Sequence, residues 1–171
     1  VPPSALPDSF RADLDRHGFF GPPRPEKTVE PTVQIQLTNA CNLACAYCCT
    51  DSGAPRSRER GFEEMAGGAP DARKLLGKGG RTSMLGGEPF LVPWAMDLAE
   101  EIVRLGLHLT VFSNGTLLLR QPDLARRTAS LVKKGMELRV SLAGPTEDSC
   151  DGPSGAPRFE AALASIHHLH R

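Results

Sequence analysis

Val33-Gln34-Ile35-Gln36-Leu37-Thr38-Asn39-Ala40-Cys41-Asn42-Leu43-Ala44-Cys45-Ala46-Tyr47-Cys48 is the stretch on which the reading of this chain turns. Residues 33–37 alternate apolar and polar, as a strand with one buried face does. The segment then passes at once into a loop with three cysteines in eight residues. A disulfide framework spreads its cysteines to staple distant loops, and the total of five would leave one unpaired. Four crowded between Cys41 and Cys49 instead suggest a ligand cluster in a reducing, cytoplasmic compartment. Thiolates at short spacing in one loop can wrap a compact iron–sulfur cluster. Three cysteines would leave one iron of a four-iron cluster open to another ligand. A zinc site and an inert cysteine-rich loop are the alternatives. Structural zinc prefers four ligands in pairs, and Cys49 sits awkwardly close to Cys48 for that.

Outward from the loop, the chain repeats strand and helix. A weak helical segment covers residues 62–76, and residues 82–85 read as a second strand ended by Gly86-Gly87. Pro93 suits the first position of a helix whose Trp94, Leu98, Ile102 and Leu105 share a face, with Gly106 as its stop. Residues 107–112 form a third strand. Residues 122–134 form a helix with Leu124, Leu131 and Val132 inward and lysines in its last turn. Residues 136–142 make a fourth strand, and residues 159–169 a helix with Ala162, Leu163 and Ile166 on one side. Strands alternating with helices predict an α/β fold of parallel βα units. Such folds gather reactive residues at the C-terminal ends of the strands. Cys41, Gly86-Gly87-Glu88, Ser113-Asn114 and Ser141 all fall there, so one rim should carry one site.

Residues 1–32 are proline-rich and read as a lead-in, with one short helix from Asp8 or Ser9 to His17. Residues 33–171 carry the domain. Lys+Arg and Asp+Glu are equal at 20 each, which gives no electrostatic footprint for nucleic acid. No stretch approaches the ~20 apolar residues of a membrane span.

The Cys-x3-Cys-x2-Cys loop, with Tyr47 before its third cysteine, resembles the signature of the radical S-adenosylmethionine (SAM) superfamily. Gly86-Gly87-Glu88-Pro89, at the end of the second strand, resembles that family's motif for the amino group of SAM. The resemblance implies a 4Fe–4S cluster on Cys41, Cys45 and Cys48, with SAM chelating the open iron. One-electron reduction would then cleave SAM to methionine and a 5′-deoxyadenosyl radical. A low-potential flavodoxin or ferredoxin would be the donor. Gly86, Gly87, Glu88, Ser113, Asn114, Ser141 and Tyr47 become the expected cofactor-binding residues.

Ser113-Asn114-Gly115 and Ser141-Leu142-Ala143-Gly144-Pro145 are similar to segments of the peptide- and protein-maturase branch, which implies a peptide or protein substrate. A small-molecule substrate is the first rival, and a noncatalytic iron–sulfur or zinc module the second. The sequence departs from the branch at Ala143 and again beyond Pro145. Ala143 replaces the usual Asp, Asp151 stands as a displaced acid, and the customary Arg is missing. Cys49, Cys150 and the terminal His167, His168 and His170 receive no role. The family core resembles a partial parallel (βα) barrel of six units, of which four are counted. The remaining adenine-binding parts and any auxiliary-cluster domain are expected beyond Arg171, so residues 1–171 alone are expected to be inactive.

Overall fold

A computed structural model describes residues 31–55, 58–144 and 146–169. The helix expected at residues 8–17, and Pro145, lie outside them. Four strands, β1 (Thr32–Gln36), β2 (Arg81–Leu85), β3 (His108–Ser113) and β4 (Glu137–Val140), form one sheet in the order β1-β2-β3-β4. Every neighbouring pair is parallel, with Thr32 opposite Arg81, Arg81 opposite His108, and Thr110 opposite Glu137. Helices α1 (Phe62–Leu76), α2 (Ala95–Arg104) and α3 (Pro122–Lys133) follow the first three strands. The expected α/β fold of four parallel βα units is present.

The core explains the order. Met84, Leu109 and Val111 of the central strands are buried with Leu98 and Ile102 of α2. Leu98 and Ile102 are four apart, one helical turn, so both meet the sheet. Val33 and Ile35 of β1 pack on the same core, while Gln34 and Gln36, which alternate with them, are exposed. This is the alternation read from the sequence. The opposite sheet face carries Gln34, Gln36 and Phe112 toward a cavity. There the Arg139 guanidinium lies 5.5 Å from the Phe112 ring centroid, a cation–π contact.

Several boundaries differ from expectation. Pro93 does not open α2: Val92 N–H donates to the Pro89 carbonyl in a short 3-10 turn, and the α-helix begins at Ala95. Val132, expected inward, is 37% exposed, and Thr128 is buried in α3 instead. β4 ends at Val140, so Ser141 lies just beyond it. A helix that the sequence did not suggest, α4 (Glu147–Ser154), precedes α5 (Phe159–Leu169). Thr146 caps α4, accepting from Ser149 N–H while Ser149 Oγ accepts from Thr146 N–H. Gly152 and Pro153 inside that helix are the residues that conceal it.

Candidate functional site

The cysteine loop is pinned at both ends by backbone. Ahead of it, Leu37 N–H donates to Leu85 O, Gly87 N–H to Thr38 O, and Glu88 N–H to Ala40 O (2.8 Å). The end of β2 is thereby bound to the entry of the loop. Within it, Cys41 N–H donates to Gly53 O and Gly53 N–H to Asn39 O, so the loop closes on itself. Ala46 N–H donates to Pro153 O, fastening the middle of the loop to α4. The Glu59 carboxylate receives the Thr38 hydroxyl (2.7 Å) and Asn39 N–H (2.8 Å).

The close β2–loop approach decides the two glycines. A Cβ on Gly87 would lie 2.1 Å from Ala40 O, and one on Gly86 2.5 Å from Thr38 O. Gly86 also has φ +155°. Glycine is required here for the chain's own backbone to pass, whatever else approaches.

Cys41, Cys45 and Cys48 line a cavity of about 610 Å³, together with Tyr47, Gly86, Gly87, Ser113, Asn114 and Ser141. Nine of the ten expected site residues therefore share one space at the strand ends. Glu88 is the exception. It is 0% exposed and stands behind the wall. Its Oε1 accepts from Ser113 Oγ (2.9 Å) and Phe90 N–H (3.2 Å), its Oε2 from Asn114 N–H (2.8 Å). Burial raises its pKa above the ordinary carboxylate value, with those three donors opposing the rise.

Of the three thiols, Cys48 is held closest to its metal-binding form. Cys48 Sγ accepts from Ser52 N–H (3.3 Å) and lies 3.4 Å from Thr50 Oγ1. The Thr50 hydroxyl first, then the Ser52 amide, lowers the Cys48 pKa to about 7, favouring the thiolate that binds metal. Cys41 is raised, chiefly by burial; Leu43 N–H opposes that, while Glu88, Cys45 and Cys48 add to it. Among the described residues no three His, Cys, Asp or Glu side chains close on one point as ligands of a single ion. A four-iron cluster makes no such demand, because each thiolate binds a different iron. The donor set and the glycine-floored cavity fit a cluster.

Arg158 is a site residue that no sequence motif marks. It is 2% exposed and borders the cavity. One terminal nitrogen donates to Ser141 O (2.6 Å), the other to Tyr47 Oη (3.0 Å), and its buried Nε has no partner. A cation before Phe159 looks like a surface residue in sequence. Asp151, the displaced acid, accepts from the backbone N–H of Arg158 and Phe159 through Oδ1, both at 2.9 Å, and so organises the first turn of α5. Cys49 lies on the cavity wall, and Cys150 is fully buried away from it.

A model of the radical SAM superfamily matches residues 35–171. Sporulation killing factor maturation protein SkfB of Bacillus subtilis (strain 168) is 35% identical over 136 residues, covering 79% of this chain and 32% of that protein. The AdoMet-dependent heme synthase of Methanosarcina barkeri is 30% identical over 139 residues, covering 80% and 38%. Among solved structures, Streptococcus suis SuiB bound to precursor peptide SuiA superposes with a TM-score of 0.64 at 17% identity. That match covers 94% of this chain and 33% of SuiB, and shows a shared fold. The chain spans about a third of the length of these curated relatives.

Proposed function

The chain belongs to the radical SAM superfamily, and from that premise we propose that it carries the cluster and SAM site of an enzyme that modifies a peptide or protein. The observation that carries this reading is the single cavity joining the three cysteines to the ends of β2, β3 and β4. Cys41, Cys45 and Cys48 would hold a 4Fe–4S cluster. When bound, cluster and SAM supply reductive cleavage of the sulfonium and hydrogen abstraction by the resulting 5′-deoxyadenosyl radical.

The residues of the chain position and shield. Gly86, Gly87, Ser113, Asn114 and Ser141 would contact SAM from the strand ends, and Tyr47 from the cysteine loop. Glu88 acts on SAM through Ser113 and Asn114, whose geometry it holds. Arg158 supplies the cation that the sequence lacks at its usual place, suited to the methionyl carboxylate. A flavodoxin- or ferredoxin-type donor in a reducing compartment, the cytoplasm, completes an oxidoreductase or lyase-type reaction. Among the described residues no helix is long and apolar enough to cross a membrane.

The relative named for maturation of a killing factor and the neighbour holding a precursor peptide favour a peptide substrate. The heme synthase relative supports the rival, a small molecule. The test is anaerobic reconstitution of the full-length protein, followed by dithionite and SAM. Expected are 5′-deoxyadenosine and methionine, abolished in Cys45→Ala and retained in Cys49→Ala. Product from Cys45→Ala, or full iron in it, sinks the assignment. An added precursor peptide that gains a crosslink or loses mass decides between the substrates.

A further inference from the structure

Asn42 lies between the first two cysteines, and its side chain closes a ring of hydrogen bonds with two residues beyond β3. Asn42 Nδ2 donates to Thr116 Oγ1 (2.8 Å), Thr116 Oγ1 donates to Asn114 Oδ1 (2.7 Å), and Asn114 Nδ2 donates to Asn42 Oδ1 (2.9 Å). Each side chain gives one bond and takes one. The circuit runs in one direction, so reversing either amide would set donor against donor. Bonds arranged head to tail polarise one another and strengthen together.

Two members, Asn114 and Thr116, are buried, and both are fixed from behind. Thr116 N–H also donates to Asn114 Oδ1 (3.0 Å), and Asn114 N–H donates to the buried Glu88 carboxylate. The third member, Asn42, belongs to the cysteine loop. Among the described residues the ring is a side-chain tie between the Cys41–Cys45 arm and the end of β3, over a separation of more than seventy residues. The backbone bonds already described hold Cys41 and Ala46, and Asn42 between them bonds the segment that follows β3.

We propose that Asn42 is a positioning residue: the Asn42–Asn114–Thr116 ring latches the cysteine loop onto the end of β3 and thereby sets the thiols against the SAM-facing strand ends. The consequence for SAM rests on the function proposed above; the latch itself does not. Two measurements separate them. In the metal-free full-length protein, hydrogen exchange of a peptide spanning residues 41–47 reports the latch alone. Asn42→Ala, which removes both bonds to the end of β3, should speed exchange there about tenfold; Thr116→Val, which leaves Asn114 Nδ2 on Asn42 Oδ1, should speed it less, and the double variant should match Asn42→Ala. In the reconstituted protein, both variants should keep their iron and sulfide while the SAM concentration that half-saturates the change in the cluster's EPR spectrum rises, about tenfold in Asn42→Ala and less in Thr116→Val.

Unchanged exchange in either variant, or additive effects in the double, overturns the latch. Iron loss in both variants overturns the claim that the ring orients the loop rather than builds the site. Iron loss in Asn42→Ala with Thr116→Val unaffected shows that Asn42 acts outside the ring and overturns it too. Faster exchange in a protein whose wild type shows no SAM-dependent spectrum leaves the latch standing and removes the proposed function.

Discussion

Gly87→Ala is the sharpest perturbation of the site, because its cost follows from geometry. The added methyl would sit 2.1 Å from Ala40 O, 2.5 Å from Ala40 C and 2.9 Å from Asn39 O. None of these is the end of a flexible side chain. The loop entry must move away from β2, and Glu88 N–H, which donates to that same Ala40 carbonyl, loses its partner or lengthens to it. Overpacking of this kind costs ~1–3 kcal/mol. A weakened backbone hydrogen bond adds ~0.5–1.5 kcal/mol. The expected loss is therefore about 1.5–4.5 kcal/mol, measured as the shift in urea-unfolding free energy of the metal-free protein. Iron retention after reconstitution should fall as well, because the displaced backbone leads straight into Cys41. Gly68→Ala is the control. Gly68 is exposed within α1 with nothing within 4 Å of a Cβ, so alanine there should stabilise by ~0.5–1 kcal/mol. A Gly87→Ala protein within ~0.5 kcal/mol of wild type and with full iron would refute the close-approach argument.

Two further outcomes follow from the buried polar groups. Glu88→Gln leaves one acceptor oxygen where the carboxylate served three donors, so an amide N–H comes to face another and stability falls by ~1–3 kcal/mol at neutral pH. The pKa of Glu88 is raised in the folded state, so its contribution is full below the ordinary carboxylate range and declines as pH rises through the folded value. Gln does not titrate, and the stability gap between wild type and variant should narrow from acid to neutral pH in urea titrations; a gap that widens would contradict the burial. Arg158→Lys cannot reach Ser141 O and Tyr47 Oη at once with a single ammonium, so SAM affinity should drop about tenfold by calorimetry while iron content holds. Equal affinity would remove Arg158 from the site.

Much of the fold was legible because its signals are local. Alternation marked β1, helical spacing marked α2, and glycines after α2 and α3 marked their stops. The convergence of the strand ends could be inferred because parallel βα units leave little choice about which edge gathers the loops. What escaped depends on contacts across the chain. Helix α4 hides behind Gly152 and Pro153, and its stabilisation comes from the Thr146–Ser149 cap and from Ala46, whose N–H meets Pro153 O. Arg158 is a basic residue among small ones until folding buries it beneath Tyr47 and Ser141. Val132 shares the apolar character of Leu131 but lies near the end of α3, where solvent reaches it. Asn42 reads as an ordinary polar loop residue, and only the tertiary structure supplies Asn114 and Thr116 as its partners.

The Gly86-Gly87-Glu88 tripeptide changes meaning most between sequence and structure. Read alone, its glycines invite a ligand and its carboxylate awaits an amine. In the fold all three residues act first on the chain itself. The glycines let Thr38 and Ala40 pass within backbone contact, and the Gly87 and Glu88 amides bind the carbonyls of those same two residues. One residue further, the Glu88 side chain turns to the other neighbour and holds Ser113 and Asn114. Contiguity is what makes this possible, since β2 lies between β1 and β3 and its end alone can reach both. Backbone groups serve one side and a side chain the other. The cysteine loop and the polar end of β3 are thereby referenced to a single rigid strand end, and any ligand spanning the cavity from Cys41 to Ser113 meets walls whose separation β2 has already set.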